Sequence, residues 1–104
     1  NFSSLSPQVY STNKENLLST LDSFSGRPVY LSLDLDILDP SVLPGTGTPE
    51  PGGWTFPELE STIHKLEGRN VVGGDVVELS PDLDPSGISS VTAACVVREI
   101  LLAC

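Results

Sequence analysis

The segment that decides the fold is Val29-Tyr-Leu-Ser-Leu-Asp-Leu-Asp-Ile-Leu-Asp-Pro40. Its opening residues, 29–33, are apolar or small, which is typical of a strand covered on both faces, as in a parallel sheet. Asp34 and Asp36 come at the end of this strand. Because alternate strand residues point the same way, we expect both carboxylates on one face. Unpaired buried carboxylates are costly and two of them repel each other, so the pattern predicts a divalent metal ion between them.

A long loop follows this strand. Four prolines and four glycines lie from Pro40 to Gly53, a density that excludes a helix or a strand. Loops of this length in a compact domain are usually functional or disordered, and the apolar flanks favour a functional loop. We expect Asp39, which precedes Pro40, to brace the loop rather than to bind metal. Trp54, directly after Gly53, is expected to pack in the loop region.

Helical and extended patterns alternate along the chain. Helices are predicted over 13–24, 55–67 and 84–103, and strands over 29–35 and 70–79. Thr55 and Glu58 form the sequence pattern of a capping box at the start of the second helix. Alternating strands and helices predict an α/β fold with a parallel sheet flanked by helices. Ligands bind at the carboxyl ends of strands in such sheets, which is where Asp34, Asp36 and Glu78 fall.

The composition bounds the class of protein. The chain has 104 residues, which is enough for one small domain. Its net charge of −9 is opposite in sign to the charge of nucleic-acid-binding proteins. No signal peptide or membrane-spanning run is visible, and we expect no membrane partner. Cys95 and Cys104 fall on opposite sides of the last predicted helix, so both are expected to be reduced. His64, the only histidine, is expected on a solvated helix face rather than at a metal.

Two extended motifs carry a family resemblance. The first is Ser32-x-Asp34-x-Asp36-x-x-Asp39-Pro40, continued by Pro44-Gly-Thr-Gly-Thr-Pro49 and Gly52-Gly53. The second is Asn70-Val-Val-Gly-Gly-Asp-Val-Val-Glu-Leu-Ser-Pro81. Together they resemble the signature of the ureohydrolase family, the arginases and agmatinases, over roughly residues 28–104. Agmatinases are the more similar group, on the evidence of the segments 48–53 and 76–81.

The resemblance implies a fold and a set of site residues. It implies an arginase-like three-layer α/β/α domain, of which residues 1–104 are the C-terminal part, and a site with two Mn²⁺ ions. Asp34 would bridge the two metals, and Asp36 would bind one of them. Glu78 would hold the guanidinium of the substrate, and Thr48 would support the metal carboxylates by hydrogen bonding. The family's histidine ligands, its Asp-x-His-x-Asp segment and its catalytic histidine lie upstream and are not matched here, so we expect this piece alone to be inactive.

The resemblance also implies a reaction. In the complete enzyme, a hydroxide bridging the two metals would attack the guanidinium carbon of a small cationic substrate and release urea and an amine. Agmatine is the first choice of substrate, which would place the protein in polyamine biosynthesis. An arginase or another guanidino or formimino hydrolase of the same family is the alternative. We further expect a cytoplasmic protein that is a homo-oligomer when full length.

Three other classes of protein could account for parts of this sequence pattern. An Asp-x-Asp pair at a strand end is also found in phosphatases of the haloacid-dehalogenase type, but these require Thr or Val two places after the second Asp, where Leu38 stands. An EF-hand starting at Asp34 would require Gly at its sixth position and Glu at its twelfth, and Asp39 and Gly45 stand there. A non-catalytic structural half stays open, and binding of Mn²⁺ without an upstream half would test it.

Overall fold

The structure is a computed structural model, and it describes residues 19–104. Two strands and two α-helices alternate along the chain: β1 (Val29–Asp34), α1 (Phe56–Ile63), β2 (Val71–Val77) and α2 (Ile88–Ala103). Short 3₁₀ helices cover Leu35–Ile37, His64–Leu66 and Pro81–Leu83. The first half of the helix predicted over 13–24 lies outside the described residues, and 19–23 of its second half are helical.

Strands β1 and β2 pair in parallel. Val29 lies opposite Val71 and Asp34 lies opposite Val77, so the two strands run side by side and finish at the same edge. A parallel pair requires a crossover connection, and here the long loop and α1 supply it. The parallel α/β arrangement predicted from the sequence is thereby confirmed.

Only one face of the sheet is covered by the described residues. On that face Leu33 is buried in the core. On the opposite face Tyr30 of β1 is 63% exposed and Val77 of β2 is 40% exposed. The prediction that β1 is covered on both faces is therefore met on one face among residues 19–104. The opposite face of β1 carries Tyr30 and Ser32, which share hydrogen bonds with Asp75 of β2.

The long loop is part of the core and not a linker. Leu43 is fully buried, and Trp54 at the end of the loop is buried in the same cluster, as predicted. Asp39 braces the loop as expected, because its carboxylate accepts hydrogen bonds from the backbone of Ser41 and from the backbone of Gly52. Gly53 lies so close to the chain after the first 3₁₀ helix that an added Cβ would be 2.5 Å from the backbone nitrogen of Asp39. The carboxylate of Asp39 thus ties the beginning of the loop to its end.

Helix α1 begins with the predicted capping box. The carboxylate of Glu58 accepts hydrogen bonds from the backbone and the hydroxyl of Thr55, both at 2.8 Å. The α-helix ends at Ile63, earlier than predicted, and a 3₁₀ turn continues it to Leu66. The tighter turn completes the segment before Gly68, whose φ of +75° reverses the chain.

Helix α2 begins at Ile88 and not at residue 84, so the predicted start was wrong. Asp84 accepts hydrogen bonds from Ser86 and from the backbone of Ser89, and Gly87 takes a φ of +77° before the first helical residue. These contacts form a turn in place of a helical first turn. Cys95 and Cys104 on this helix are free thiols, as predicted. Among the described residues no helix has the length and apolarity needed to cross a membrane.

Residues 1–104 expressed alone should aggregate or stay loosely packed. Helix α2 buries Val96 yet leaves Leu101 74% exposed, and other large apolar side chains are exposed on α2 and on the sheet: Val91, Leu102, Tyr30 and Val72. Contiguous exposed apolar surface promotes association. Size-exclusion chromatography measures the aggregation, and thermal unfolding followed by circular dichroism measures how cooperatively the piece is packed. A Leu101→Gln, Leu102→Gln double variant should reduce the aggregation, and a soluble monomer with a sharp cooperative melt would contradict the prediction.

Candidate active site

The two aspartates of the first motif lie at the carboxyl end of β1. Asp34 is the last residue of the strand, and Asp36 lies in the 3₁₀ helix that follows it. The prediction that both carboxylates extend from one face of a strand is therefore wrong in its geometry. Leu35, which is fully buried, draws the chain inward, and the backbone N–H of Asp36 donates to Oδ1 of Asp34 at 3.1 Å. The turn, rather than the pleat, sets the relation between the two aspartates.

Negative charge accumulates around Asp34. Loss of solvent raises the pKa of its carboxyl group, and the neighbouring charges of Asp36 and Glu78 raise it further, against the lowering effect of the Asp36 backbone N–H. Because Asp34 lies opposite Val77 in the parallel pair, Glu78, the next residue, follows β2 at the same sheet edge as the two aspartates. Within residues 19–104, none of the ion pairs formed by arginine or histidine involves them. Hard carboxylate oxygens gathered without a cation are the ligands that Mn²⁺ and Mg²⁺ prefer, so the residues present fit a divalent metal.

Thr48 contacts the second aspartate from the glycine-rich part of the loop. Its hydroxyl donates a hydrogen bond to Oδ2 of Asp36 at 2.7 Å. A hydrogen bond of this kind fixes the orientation of a carboxylate, as outer groups do for metal ligands. The loop therefore controls which oxygen of Asp36 stays available for another partner.

Glu78 follows the last residue of β2 in an unusual backbone conformation. Its φ is +67°, the only positive φ of a non-glycine residue in the described part of the chain. This conformation costs a non-glycine residue roughly 1–3 kcal/mol and concentrates at functional sites. Asp75, three residues earlier, is held by the hydroxyls of Tyr30 and Ser32 and has the structural place expected for it.

Asp84 and Ser89 are two buried polar residues that the sequence patterns did not identify as site candidates. Asp84 is 7% exposed and Ser89 is fully buried, although both residue types are usually found at the surface. Ser89 reaches the loop, because its hydroxyl accepts the N–H of Gly45 at 2.7 Å. The Asp-Pro-Ser-Gly segment, which favours a turn with side-chain hydrogen bonds, is the signal that could have indicated Asp84.

The Asp84 carboxylate should contribute stability that depends on pH. Hydrogen bonds from Ser86 and then Ser89 lower its pKa from the ordinary 3.8 to about 2. Because the folded-state pKa is the lower one, this stabilisation is present above about pH 4 and is lost as the pH falls through about 2. The urea midpoint of full-length Asp84→Asn should therefore lie below that of the wild type at pH 6, with the difference shrinking toward pH 2. Asp82→Asn, at an exposed neighbour, is the control, and a pH-independent difference would refute the prediction.

A second group of titratable side chains lies between α1 and α2. Ligand atoms of Glu60, His64 and Glu99 all lie within 4.8 Å of one another. His64 is expected on a solvated helix face and its side chain is 39% exposed, but its Nε2 also lies 3.3 Å from the buried carboxylate of Glu99. Glu67 on the other ring nitrogen raises the pKa of His64, and Arg98 also pairs with Glu99 at 2.6 Å. With its cations already supplied, this group is best interpreted as an interhelical ion-pair network, separate from the strand-end site.

The chain matches known proteins over most of its length. The sequence pattern of the arginase family matches residues 6–103. An agmatinase of Bacillus subtilis is 43% identical over 90 residues, which is 85% of this chain and 31% of that protein. The human mitochondrial guanidino acid hydrolase is 46% identical over 78 residues, which is 75% of this chain and 22% of that protein.

A solved structure shares the fold as well. The arginase from Bacillus subtilis superimposes with a TM-score of 0.79 at 32% identity, over 91% of this chain and 34% of that one. The chain therefore spans about a third or less of the length of the relatives it matches. The fold corresponds to one part of those longer chains.

Proposed function

Since this chain belongs to the arginase family, we propose that it supplies the C-terminal part of the catalytic domain of a guanidino-compound hydrolase. The single observation that carries the proposal is the convergence of Asp34, Asp36 and Glu78 at one sheet edge, with the charges of Asp36 and Glu78 acting on Asp34. Three carboxylates so placed suit a site for a cationic substrate beside metal ions.

Asp34 and Asp36 would hold the metals in this proposal. The arginase family is known for a binuclear metal site, and oxygen ligands suit Mn²⁺. When bound, the two ions would supply the Lewis acidity that makes water nucleophilic near neutral pH. Thr48 would keep the Asp36 carboxylate in one orientation through its hydrogen bond to Oδ2.

Glu78 would bind and orient the substrate. A guanidinium is planar and donates paired N–H groups, which a carboxylate accepts side by side. The charge of Glu78 contributes to raising the pKa of Asp34, which supports placing the substrate cation beside the aspartate proposed to bind metal. A guanidinium held there would present its central carbon to the water. The overall reaction replaces the bond from that carbon to the alkyl nitrogen with a bond to the water oxygen, and releases urea and an amine.

Agmatine is the substrate that the charge favours. It carries a positive charge at each end, whereas arginine and guanidino acids carry a carboxylate at the far end. The net charge of −9 and the acidic site favour a dication over a substrate with a negative group. The agmatinase of B. subtilis is among the similar proteins, and the human guanidino acid hydrolase represents the alternative within the family.

The remaining ligands of the site would come from sequence outside this chain. Because residues 19–104 offer two aspartates at the strand-end site, the complete centre would need an upstream segment of the same domain. In the full-length protein we further propose a cytoplasmic homo-oligomer that acts in polyamine biosynthesis. The 104-residue piece alone would be inactive.

Urea release by the full-length protein tests the proposed function. The protein is loaded with Mn²⁺ and supplied in turn with agmatine, arginine, 3-guanidinopropionate and 4-guanidinobutyrate. We expect the highest kcat/KM for agmatine. A guanidino acid as the best substrate would transfer the assignment to the alternative, and no urea from any of the four would overturn the proposal. Hydrolysis of p-nitrophenyl phosphate serves as the control for the phosphatase reading and should not occur.

A further inference from the structure

One glycine of the loop joins three parts of the site. The carbonyl of Gly45 accepts a hydrogen bond from the N–H of Ser80 at 2.7 Å. The N–H of the same residue donates to the hydroxyl of Ser89 at 2.7 Å. Gly45 is therefore held from both sides, by the segment after β2 and by the first turn of α2. We call the two hydrogen bonds that join Gly45 to Ser80 and Ser89 the Gly45 clamp.

The α2 side of this clamp is buried and rigid. Ser89 is fully buried, and its own N–H donates to Oδ2 of Asp84 at 2.7 Å. A Cβ added to Gly45 would lie 2.8 Å from the Cβ of Ser89 and 3.1 Å from that of Asp84. Because real Cβ atoms do not approach so closely, the loop backbone can lie against Ser89 only with glycine at this position.

On two sides of the clamp, a residue of the proposed site or its support lies a few positions away along the chain. Three residues beyond Gly45 along the loop, Thr48 donates to the carboxylate of Asp36. Two residues before Ser80 along the chain, Glu78 holds its positive φ. The clamp therefore connects the loop segment that holds Asp36 to the segment that carries Glu78.

We propose that Ser89, held in place by Asp84, is a positioning residue that sets Asp36 and Glu78 relative to each other through Gly45. The inference rests on the proposed function, because it assigns Ser89 an effect on that reaction. The hydrogen bonds of Ser89 go to Gly45 and Asp84 and not to the proposed metal or substrate ligands. A displacement of the loop that is small compared with the distance between the Asp36 and Glu78 carboxylates would misalign substrate and metals. Reacting groups must keep their relative positions closely for the reaction to proceed.

Ser89→Ala in the full-length enzyme tests the proposal. It removes the acceptor for the Gly45 N–H and should lower kcat/KM for the preferred substrate about tenfold, the effect of one buried hydrogen bond. Binding of Mn²⁺, measured by titration of the metal-free enzyme, should weaken in parallel. Ser89→Thr, which keeps the hydroxyl, should recover most of both. Ser90→Ala, at the exposed neighbouring position, is the matched control and should behave as the wild type.

A double variant separates positioning from mere stability. If Ser89 acts through the loop segment that carries Thr48, the losses caused by Ser89→Ala and Thr48→Ala should overlap. The double variant should then lose clearly less than the product of the two single losses. Multiplied losses, or a lowered melting temperature with unchanged kcat/KM and Mn²⁺ binding, would overturn the proposal and leave Ser89 a structural residue.

The controls also keep this inference distinct from the function on which it rests. A wild-type protein that releases no urea from any guanidino compound would remove the proposed function, and the Mn²⁺ titration of Ser89→Ala would still decide whether the clamp positions the aspartates. An active wild type with an equally active Ser89→Ala would sink the positioning role alone.

Discussion

Asp34→Asn and Asp36→Asn should each abolish guanidine hydrolysis and lower the manganese content of the full-length protein. Each change keeps the size of the side chain but removes the negative charge and replaces one oxygen with a donor that cannot bind a cation. Loss of a group that only supports a metal ligand costs about 10- to 100-fold in affinity or activity. Loss of the ligand itself should therefore lower kcat/KM by more than about 1,000-fold.

Metal analysis of the purified variants, together with urea release, measures this effect. Asp75→Asn is the matched control, because Asp75 is a carboxylate of the neighbouring strand that is held by the hydroxyls of Tyr30 and Ser32. Hydroxyl groups can reverse their donor and acceptor roles, so this variant should fold, keep its manganese and remain active. Undiminished manganese with normal turnover in Asp34→Asn or Asp36→Asn would remove these residues from the metal site.

Glu78→Gln should separate substrate binding from metal binding. The change keeps one acceptor oxygen but removes the charge that pairs with a guanidinium. A hydrogen bond to a charged group is worth about 1.5–3 kcal/mol, and leaving the partner unpaired costs more. At about tenfold per 1.4 kcal/mol, the variant should lose roughly 10- to 1,000-fold in kcat/KM while retaining its manganese.

The matched control for this variant is Glu50→Gln, which makes the same change at an exposed position of the long loop. It should leave both the manganese content and kcat/KM unchanged. Loss of manganese from Glu78→Gln would place Glu78 among the metal ligands. Kinetics equal to those of the wild type would exclude Glu78 from substrate binding.

The strained backbone at Glu78 and the clamp on Gly45 are features of the same turn. Ser80 donates to Gly45, so the chain after β2 must turn toward the loop within three residues of the strand end. A positive φ at residue 78 is how the backbone makes this turn. Strain placed beside an acidic cluster is consistent with selection for the position of a side chain rather than for local stability.

The α/β class and the parallel pairing of the two strands could be predicted from the order of residues along the chain. The run of apolar residues before Asp34 and the capping box of Thr55 and Glu58 are local patterns, and local patterns report local structure. The role of Asp39 as a brace was likewise readable, because an Asp before a proline-rich and glycine-rich loop bonds to backbone groups a few residues away. Recognition of the family followed from the spacing of the same motif.

The way the site is held depends on contacts between residues that are distant in the sequence. Whether Asp36 lies in a strand or a turn depends on burial of Leu35 against elements far away in the sequence. The link from Gly45 to Ser89 and the pairing of His64 with Glu99 each join residues more than thirty positions apart. Periodicity carries no information about such contacts, because the geometry of packed helices and loops brings the partners together and not the spacing of residues along the chain.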